Sequence, residues 1–569
     1  MVSALDLRME KAMAALTAEG APLALTTVPT RFGVDVPAFA AAPPSLGAYF
    51  DHFCALHGVA PFLVSGDERL SFAETHRLAR DAASALAGRF GVRKGDRVAI
   101  AARNGSPWII LYMAILMAGG VATLLNAWWQ GDELADGLDD AGVTLVFADP
   151  PRVHRLAGCR RALAARIVAI DMDMPAATAL APVLGGAAAP VIALPEIGPD
   201  DDATILFTSG STGRSKGALS DHRAVVQGTL NYLAQTLMML QIVTEDGEGP
   251  TNPPATLLNL PLFHVTAEIP ILLQSFAQGR KLVLMPKWDT VEAMRLIEAE
   301  KITYFVGVPL MSFEIMIHPD RAHYDLSSCR DFAAGGAPRP VEHVGRLSSE
   351  MGAAKPLIGY GLTETNAVGC GNFRENYRAK PDSTGRASTP LVELAIVDDA
   401  GRSVAQGERG EIAFRTICNF KEYWHNESAT RAAFTPDGFF RTGDIGYLDG
   451  DRYLFIVDRK KDIIIRGGEN ISCQEVESAL YAHPDIAEAA VFGLPDARLG
   501  ETPGAVVHAR DGAVLDAEAL RDFLKARLAA FKVPGRIWIE SSPLPRLGTE
   551  KIDKVALKAK YRDAPADSR

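Results

Sequence analysis

The chain has 569 residues, 48% of them hydrophobic and 22% charged. This is the balance of a globular protein with material for about three to four domain-sized units. A net charge of −11 without any long basic run argues against a nucleic-acid binder. The cysteines Cys54, Cys159, Cys329, Cys370, Cys418 and Cys473 form no CxxC pair and no metal-ligand spacing, so reduced, mostly buried thiols in a cytoplasmic protein are expected.

The opening stretch MVSALDLRMEKAMAALTAEG mixes charges into an apolar pattern, which predicts an amphipathic helix and not a signal peptide. Beyond a Pro/Ala-rich segment (37–44), helix and strand patterns alternate. THRLARDAASALAGRF is predicted as a helix and RVAIAA as a strand. The apolar run 108–125 approaches membrane-span length, but Gly119 and Gly120 interrupt it. It is predicted as a buried helix, a turn and a central strand. QGDELADGLDDAG (helix) and VTLVFAD (strand) follow. Further on come TLLNL, a helix over 268–278, KLVLM, the helix VEAMRLIEAE and TYFVGVP. Such alternation implies α/β layers around largely parallel sheet. From about Val392 short strands succeed one another, predicting a β-rich subdomain. The charged run DRKKD (458–462), expected as a solvated surface or linker, then precedes a smaller α+β unit with the helices CQEVESALYAH and AEALRDFLKARLAAF. A domain boundary is placed near Lys461.

Chemistry concentrates in a few segments. TSGSTGRSKG (208–217) follows the apolar run ATILF and carries Gly210 and Gly213, hydroxyls on Thr208, Ser209, Ser211 and Thr212, and the cation of Lys216. Backbone N–H groups in such a loop can cradle phosphate oxygens. It is not a Walker A loop, because Ser215 precedes the lysine and the next helix start falls at Ser220 or Asp221. YGLTET (360–365) offers a glutamate that can ligate Mg²⁺ beside phosphates. FRTGD (440–444) places an aspartate after a tight turn, where it can accept ribose hydroxyls or serve a plain Asx turn. DRKKDIIIRGGENIS (458–472) joins a charged junction to a Gly-Gly loop, and PRLGTEKIDK (545–554) supplies two lysines.

In this order and spacing these segments resemble the adenylate-forming superfamily of acyl-CoA synthetases, adenylation domains and luciferases, from about Ser45 to Lys554. The resemblance implies an α/β fold. An N-terminal extension (1–44) precedes a large multi-layer domain (45–460) of two α/β sheet subdomains plus a β-rich subdomain, and a small mobile α+β domain (461–569) follows. It implies ATP, Mg²⁺ and coenzyme A. A carboxylate attacks the α-phosphate of ATP to give acyl-AMP and pyrophosphate, and a thiol then displaces AMP. Carried onto this chain, Thr208 to Lys216 hold the β- and γ-phosphates, Thr363 the α-phosphate and Glu364 the Mg²⁺. Gly335, Gly336, Ala337, Tyr360 and Gly361 frame the adenine. Asp444 holds the ribose, with Arg459 assisting. Lys551 bridges the carboxylate and the α-phosphate. Lys461 is the hinge, and Gly467, Gly468, Glu469 and Asn470 shape the thiol channel. The family usually has Gly before the catalytic lysine where this chain has Glu550, and Lys554 is a nearby alternative of poorer spacing.

His264, in PLFHVTAE, takes the family's aromatic gate position. Val265, Thr266, Val306, Gly307, Gly359, Gly361 and Ala367 are expected to line the acyl pocket. These residues are small and apolar, with no Asp or Lys to meet an amino or guanidino group. A medium- or long-chain fatty acid is the expected substrate, with an aryl or ring-containing acid as rival. No carrier segment follows PRLGTEKIDK, which favours free coenzyme A over an acyl carrier protein. A small-molecule acid and CoA are thus the expected partners, no transmembrane segment is expected, and a homodimer is allowed.

Overall fold

A computed structural model describes residues 3–185, 192–208, 215–352, 354–460, 462–466, 469–496, 498–547 and 551–562. Two large sheets carry the N-terminal part. The seven-stranded sheet runs, edge to edge, Glu422–Tyr423, Lys216–Asp221, Asp202–Thr208, Val121–Leu124, Arg97–Ala101, Leu145–Ala148 and Arg166–Ala169. Its last five strands are parallel, and the Lys216–Asp221 strand is antiparallel to both its neighbours. The nine-stranded sheet has six parallel central strands, from Lys355–Gly361 through Asp331–Ala334, Tyr304–Gly307, Ala255–Leu258 and Lys281–Leu284 to Pro61–Ser65. Antiparallel strands close its edges.

The helix Ser106–Met117 is buried along its whole length, and Gly119, with φ +81°, turns the chain into Val121–Leu124 in the middle of the seven-stranded sheet. Only a helix packed on every side can be apolar all round in a soluble fold. Among the described residues, no helix is long and apolar enough to cross a membrane.

A four-stranded antiparallel sheet (Glu393–Val397, Gly410–Arg415, Phe440–Leu448, Leu454–Arg459) forms the β-rich subdomain. The C-terminal unit has its own five-stranded sheet and its own core, including Val476, Leu480, Leu520, Leu524 and Ile537. The N-terminal helix Ala4–Leu16 starts on a Ser3/Asp6 capping box. Asp6 is buried and accepts hydrogen bonds from Tyr453 Oη (3.0 Å) and Asn376 Nδ2 (3.0 Å), so the N-terminal extension is tied to distant parts of the chain. All six cysteines are free, and every one except Cys159 is buried.

Three local expectations change. The helix expected over 268–278 opens as a π-helix, Glu268–Leu273, before Gln274–Gln278 continues as α-helix. Pro270 has no N–H to give an α-helical ladder. The buried Arg280 guanidinium donates to Pro270 O (2.9 Å) and Ile271 O (2.8 Å), satisfying carbonyls there. FRTGD is not an isolated turn but the first half of the strand Phe440–Leu448. DRKKD is not solvated throughout. Asp458 is 6% exposed and accepts the backbone N–H groups of Arg459, Cys473 and Gln474, which fastens the junction to the helix Cys473–Tyr481.

Candidate active site

Three clusters of predicted residues form where the sheets meet. In the first, Thr208 and Lys216 are cross-strand partners at the end of an antiparallel hairpin, and Asp221 caps the helix His222–Glu245. The glycine-rich residues Ser209, Gly210, Ser211, Thr212 and Gly213 lie outside the described residues. Lys216 Nζ sits 4.9 Å from the centroid of the Tyr423 ring. Tyr423 is on the edge strand Glu422–Tyr423, and its hydroxyl donates to Glu364 Oε1 at 2.7 Å. Glu364 belongs to a 3₁₀ turn, Thr363–Thr365, after which Asn366 (φ +48°) and Ala367 (φ +64°) both take left-handed backbone. Asn366 holds that bend by donating to Ser220 Oγ (3.1 Å) and Cys418 O (2.9 Å). Burial raises the Glu364 carboxyl above the usual range, and the Tyr423 hydrogen bond works against that. Lys216 and Glu364 are thus joined through one tyrosine.

The second cluster spans two sheets. Tyr360, at the end of Lys355–Gly361, donates its hydroxyl to Asp444 Oδ2 at 2.5 Å. Asp444 and Arg459 are directly opposite in the antiparallel register, and Arg459 Nε lies 3.3 Å from Asp444 Oδ1. Burial pushes the Asp444 carboxyl up, while Arg459, Tyr360 and Lys551 pull it down. Gly361 is required by sterics, since a Cβ there would lie 2.0 Å from Ala367 O.

The third cluster is a narrow cleft lined by Leu260, Pro261, His264, Thr266, Val308, Gly335, Gly336 and Lys551, with free space of about 10 Å³, room for roughly one water. Lys551 comes from the C-terminal unit and reaches into the large domain. Gly336 has φ +76°, and a Cβ on it would meet Lys551 Cε at 3.5 Å. Burial and the Arg459 charge lower the Lys551 ammonium to about 8, with Asp444 opposing. His264 is lowered to about 3 by burial and by Lys551. Its Nδ1 accepts the Thr266 N–H at 3.2 Å, which leaves the ring proton of the neutral imidazole on Nε2. A Cβ on Gly335 would lie 3.6 Å from Gly359 O and 3.9 Å from Thr266 Cγ2, so nucleotide and acyl candidates adjoin here. Among the described residues, a Cβ on Gly359 would find only Cys370 O, at 3.9 Å. Val306 and Gly307 end the neighbouring strand Tyr304–Gly307. Val265 is buried in the short helix Val265–Ala267, and Ala337 follows Gly336 in the same loop.

Lys554 lies elsewhere. Its ammonium pairs with Glu477 at 2.6 Å inside the C-terminal unit, and that pairing holds its pKa up. Glu469 and Asn470 belong to the hairpin strand Glu469–Ile471, which pairs with Ile464–Arg466. Lys461, Gly467, Gly468 and Glu550 lie outside the described residues. Tyr423, Asn366, Leu260, Pro261 and Val308 were not anticipated. Tyr423 stands 59 residues from Glu364 in sequence, and no local pattern links the two.

Comparison with known proteins shows the family. The AMP-binding enzyme family covers residues 50–424, and the AMP-binding enzyme C-terminal domain covers residues 475–551. The chain is 34% identical over 490 residues to a long-chain-fatty-acid–CoA ligase of Bacillus subtilis, covering 81% of this chain and 85% of that one. It is 33% identical over 496 residues to a feruloyl-CoA synthase of Amycolatopsis, covering 87% and 95%. The solved structure of ATP-bound MatB from Rhodopseudomonas palustris superposes with a TM-score of 0.78 at 28% identity, over 91% of this chain and 99% of that one. The chain belongs to the AMP-binding, adenylate-forming family of enzymes, as an acyl-CoA synthetase that ligates a carboxylic acid to CoA.

Proposed function

We propose that the enzyme activates a medium- or long-chain fatty acid. The carboxylate oxygen attacks the α-phosphorus of ATP, the bond to the β-phosphate oxygen breaks, and pyrophosphate leaves with that electron pair. The CoA thiolate then attacks the acyl carbon, and AMP leaves. Lys551 places its cation between the carboxylate and the α-phosphate, where negative charge passes in the first step. The position of its ammonium beside His264 and Gly336 supports this role, and the engagement of Lys554 with Glu477 argues against the alternative lysine.

Lys216 and the hydroxyls from Thr208 onward grip the leaving phosphates, Thr363 orients the α-phosphate, and Asp444 with Arg459 holds the ribose. Gly335, Gly336, Ala337 and the Tyr360–Gly361 strand end frame the adenine. For magnesium, Glu364 is a hard oxygen donor fixed by Tyr423. No group of three or more His, Cys, Asp or Glu side chains among the described residues could cage a metal. Mg²⁺ would be held by the Glu364 carboxylate, with the remaining oxygens coming from phosphate and water. When bound, the ion neutralises phosphate charge. After adenylation the C-terminal domain turns about Lys461, withdraws Lys551 and brings Gly467 to Asn470 to the thiol path.

The observation that carries the fatty-acid reading is the wall of the cleft. Apart from His264 and Lys551 it is Leu260, Pro261, Val308, Thr266 and two glycines, and Gly359 opens onto space. Among the described residues, nothing there pairs with a second charge on the acid. A flat aryl acid fits the same walls, and the feruloyl-CoA synthase relative favours that second reading. AMP release measured with C8–C18 fatty acids and with aryl acids, with and without CoA, separates them. The fatty series is expected to turn over faster by kcat/KM. Faster turnover of aryl acids overturns the first reading, and acyl-adenylate accumulating despite CoA points to loading of an acyl carrier protein.

A further inference from the structure

A second cavity, of about 280 Å³, lies between the N-terminal helix, the helix His222–Glu245 and the β-rich subdomain. It shares no lining residue with the Lys551 cleft. Its apolar wall is Met9, Met238, Phe373, Leu394 and Leu448. Met9 comes from the N-terminal helix, which precedes the span matched by the family.

The charges around it are unevenly compensated. Glu10 pairs with Arg386 at 2.9 Å, and Glu393 pairs with Arg415 at 2.7 Å. Asp6 is taken up by Tyr453 and Asn376. Arg452 also lines the cavity and is exposed, and its guanidinium has no hydrogen-bonding or ionic partner among the described residues. Its backbone is left-handed, at φ +64°, a conformation in which arginine is uncommon. The turn persists because Asp449 Oδ1 accepts the N–H groups of Asp451 and Tyr453, both at 2.9 Å. An apolar hollow with one unspent cation at its edge is complementary to a molecule with one apolar chain and one anionic end. The volume sits just below the roughly 300–1,000 Å³ of small-molecule pockets, which suits a chain segment and not a multi-ring ligand.

We propose that this cavity is a second ligand site, for a single-chain amphiphilic carboxylate. The alkyl chain lies between Met9 and Met238 and the carboxylate pairs with Arg452. The proposal does not depend on which acid the Lys551 cleft activates.

The test uses the full chain with its first site saturated by a non-hydrolysable acyl-sulfamoyl adenosine, whose own binding is measured first. Dodecanoate is then titrated below its micellar concentration by calorimetry. One further saturable site is expected. Arg452→Glu weakens it at least about tenfold, the loss of one charge-assisted contact. Met238→Trp fills the hollow and removes binding, and dodecanol binds about tenfold more weakly than dodecanoate. Both variants keep the parent rate of ATP–pyrophosphate exchange. Arg452→Glu, at an exposed position, carries the test should Met238→Trp unfold, which its melting curve reports. Absence of a saturable second event, equal binding by Arg452→Glu, or equal binding of dodecanol overturns the proposal.

Discussion

Replacing Lys551 by alanine separates the two half-reactions. In the cleft the ammonium is held at a cost, because its pKa falls from 10.5 to about 8 through burial and the Arg459 charge. That drop corresponds to about 3 kcal/mol at ~1.36 kcal/mol per tenfold change. Bound carboxylate and α-phosphate reverse the sign, because two anions now face the cation that was penalised without them. Losing a preorganised charge of this kind costs about 3–4 kcal/mol of transition-state stabilisation, or ~10²–10³ in rate. Lys551→Ala is therefore expected to slow acid-dependent ATP–pyrophosphate exchange by about that factor. Conversion of supplied acyl-adenylate and CoA to thioester should continue at the parent rate. Normal exchange in the variant, or equal loss of both half-reactions, refutes this role for Lys551.

Other consequences are as direct. Lys551 is charged below its pKa of about 8 and loses its proton above it, so kcat/KM for adenylation, which reports the free enzyme, should fall as pH rises through about 8. Thioester formation from supplied acyl-adenylate should lack that limb, and Lys551→Arg should move it out of range. Tyr423→Phe removes the 2.7 Å hydrogen bond to the buried Glu364, so the Glu364 pKa rises further. Exchange should fall by about tenfold and require more Mg²⁺, as expected for a lost bond to a charged group; unchanged Mg²⁺ dependence contradicts the link. Glu477→Ala strands Lys554 without its 2.6 Å partner. It should destabilise the chain by about 2 kcal/mol in urea unfolding, below the 3–5 of a fully buried pair because Lys554 keeps about a third of its side chain exposed.

The parts legible in sequence are those with local signals. The buried helix before Gly119, the alternation of helices and strands, and the Asp221 cap each follow from spacing within a few residues. The resemblance supplied what spacing could not, namely that Lys216, Glu364, Asp444 and Lys551 belong together. Long-range pairing stayed hidden. Tyr423 reaches Glu364 only because a two-residue edge strand pairs with the strand that carries Lys216. Asp444 faces Arg459 only through the register of two strands. Pro270 was visible, but the π-helix around it depends on Arg280 folding back from beyond the helix. DRKKD looked solvated because nothing in five charged letters records that Asp458 turns inward to cap the next helix.

In this mechanism a carboxylate is activated at the α-phosphate before any thiol reacts. Acid-dependent exchange of labelled pyrophosphate into ATP, measured without CoA, tests it most directly. Exchange is expected to need both the acid and Mg²⁺, followed on adding CoA by equal amounts of AMP and acyl-CoA. Release of ADP and phosphate, or exchange that appears only when CoA is present, contradicts it.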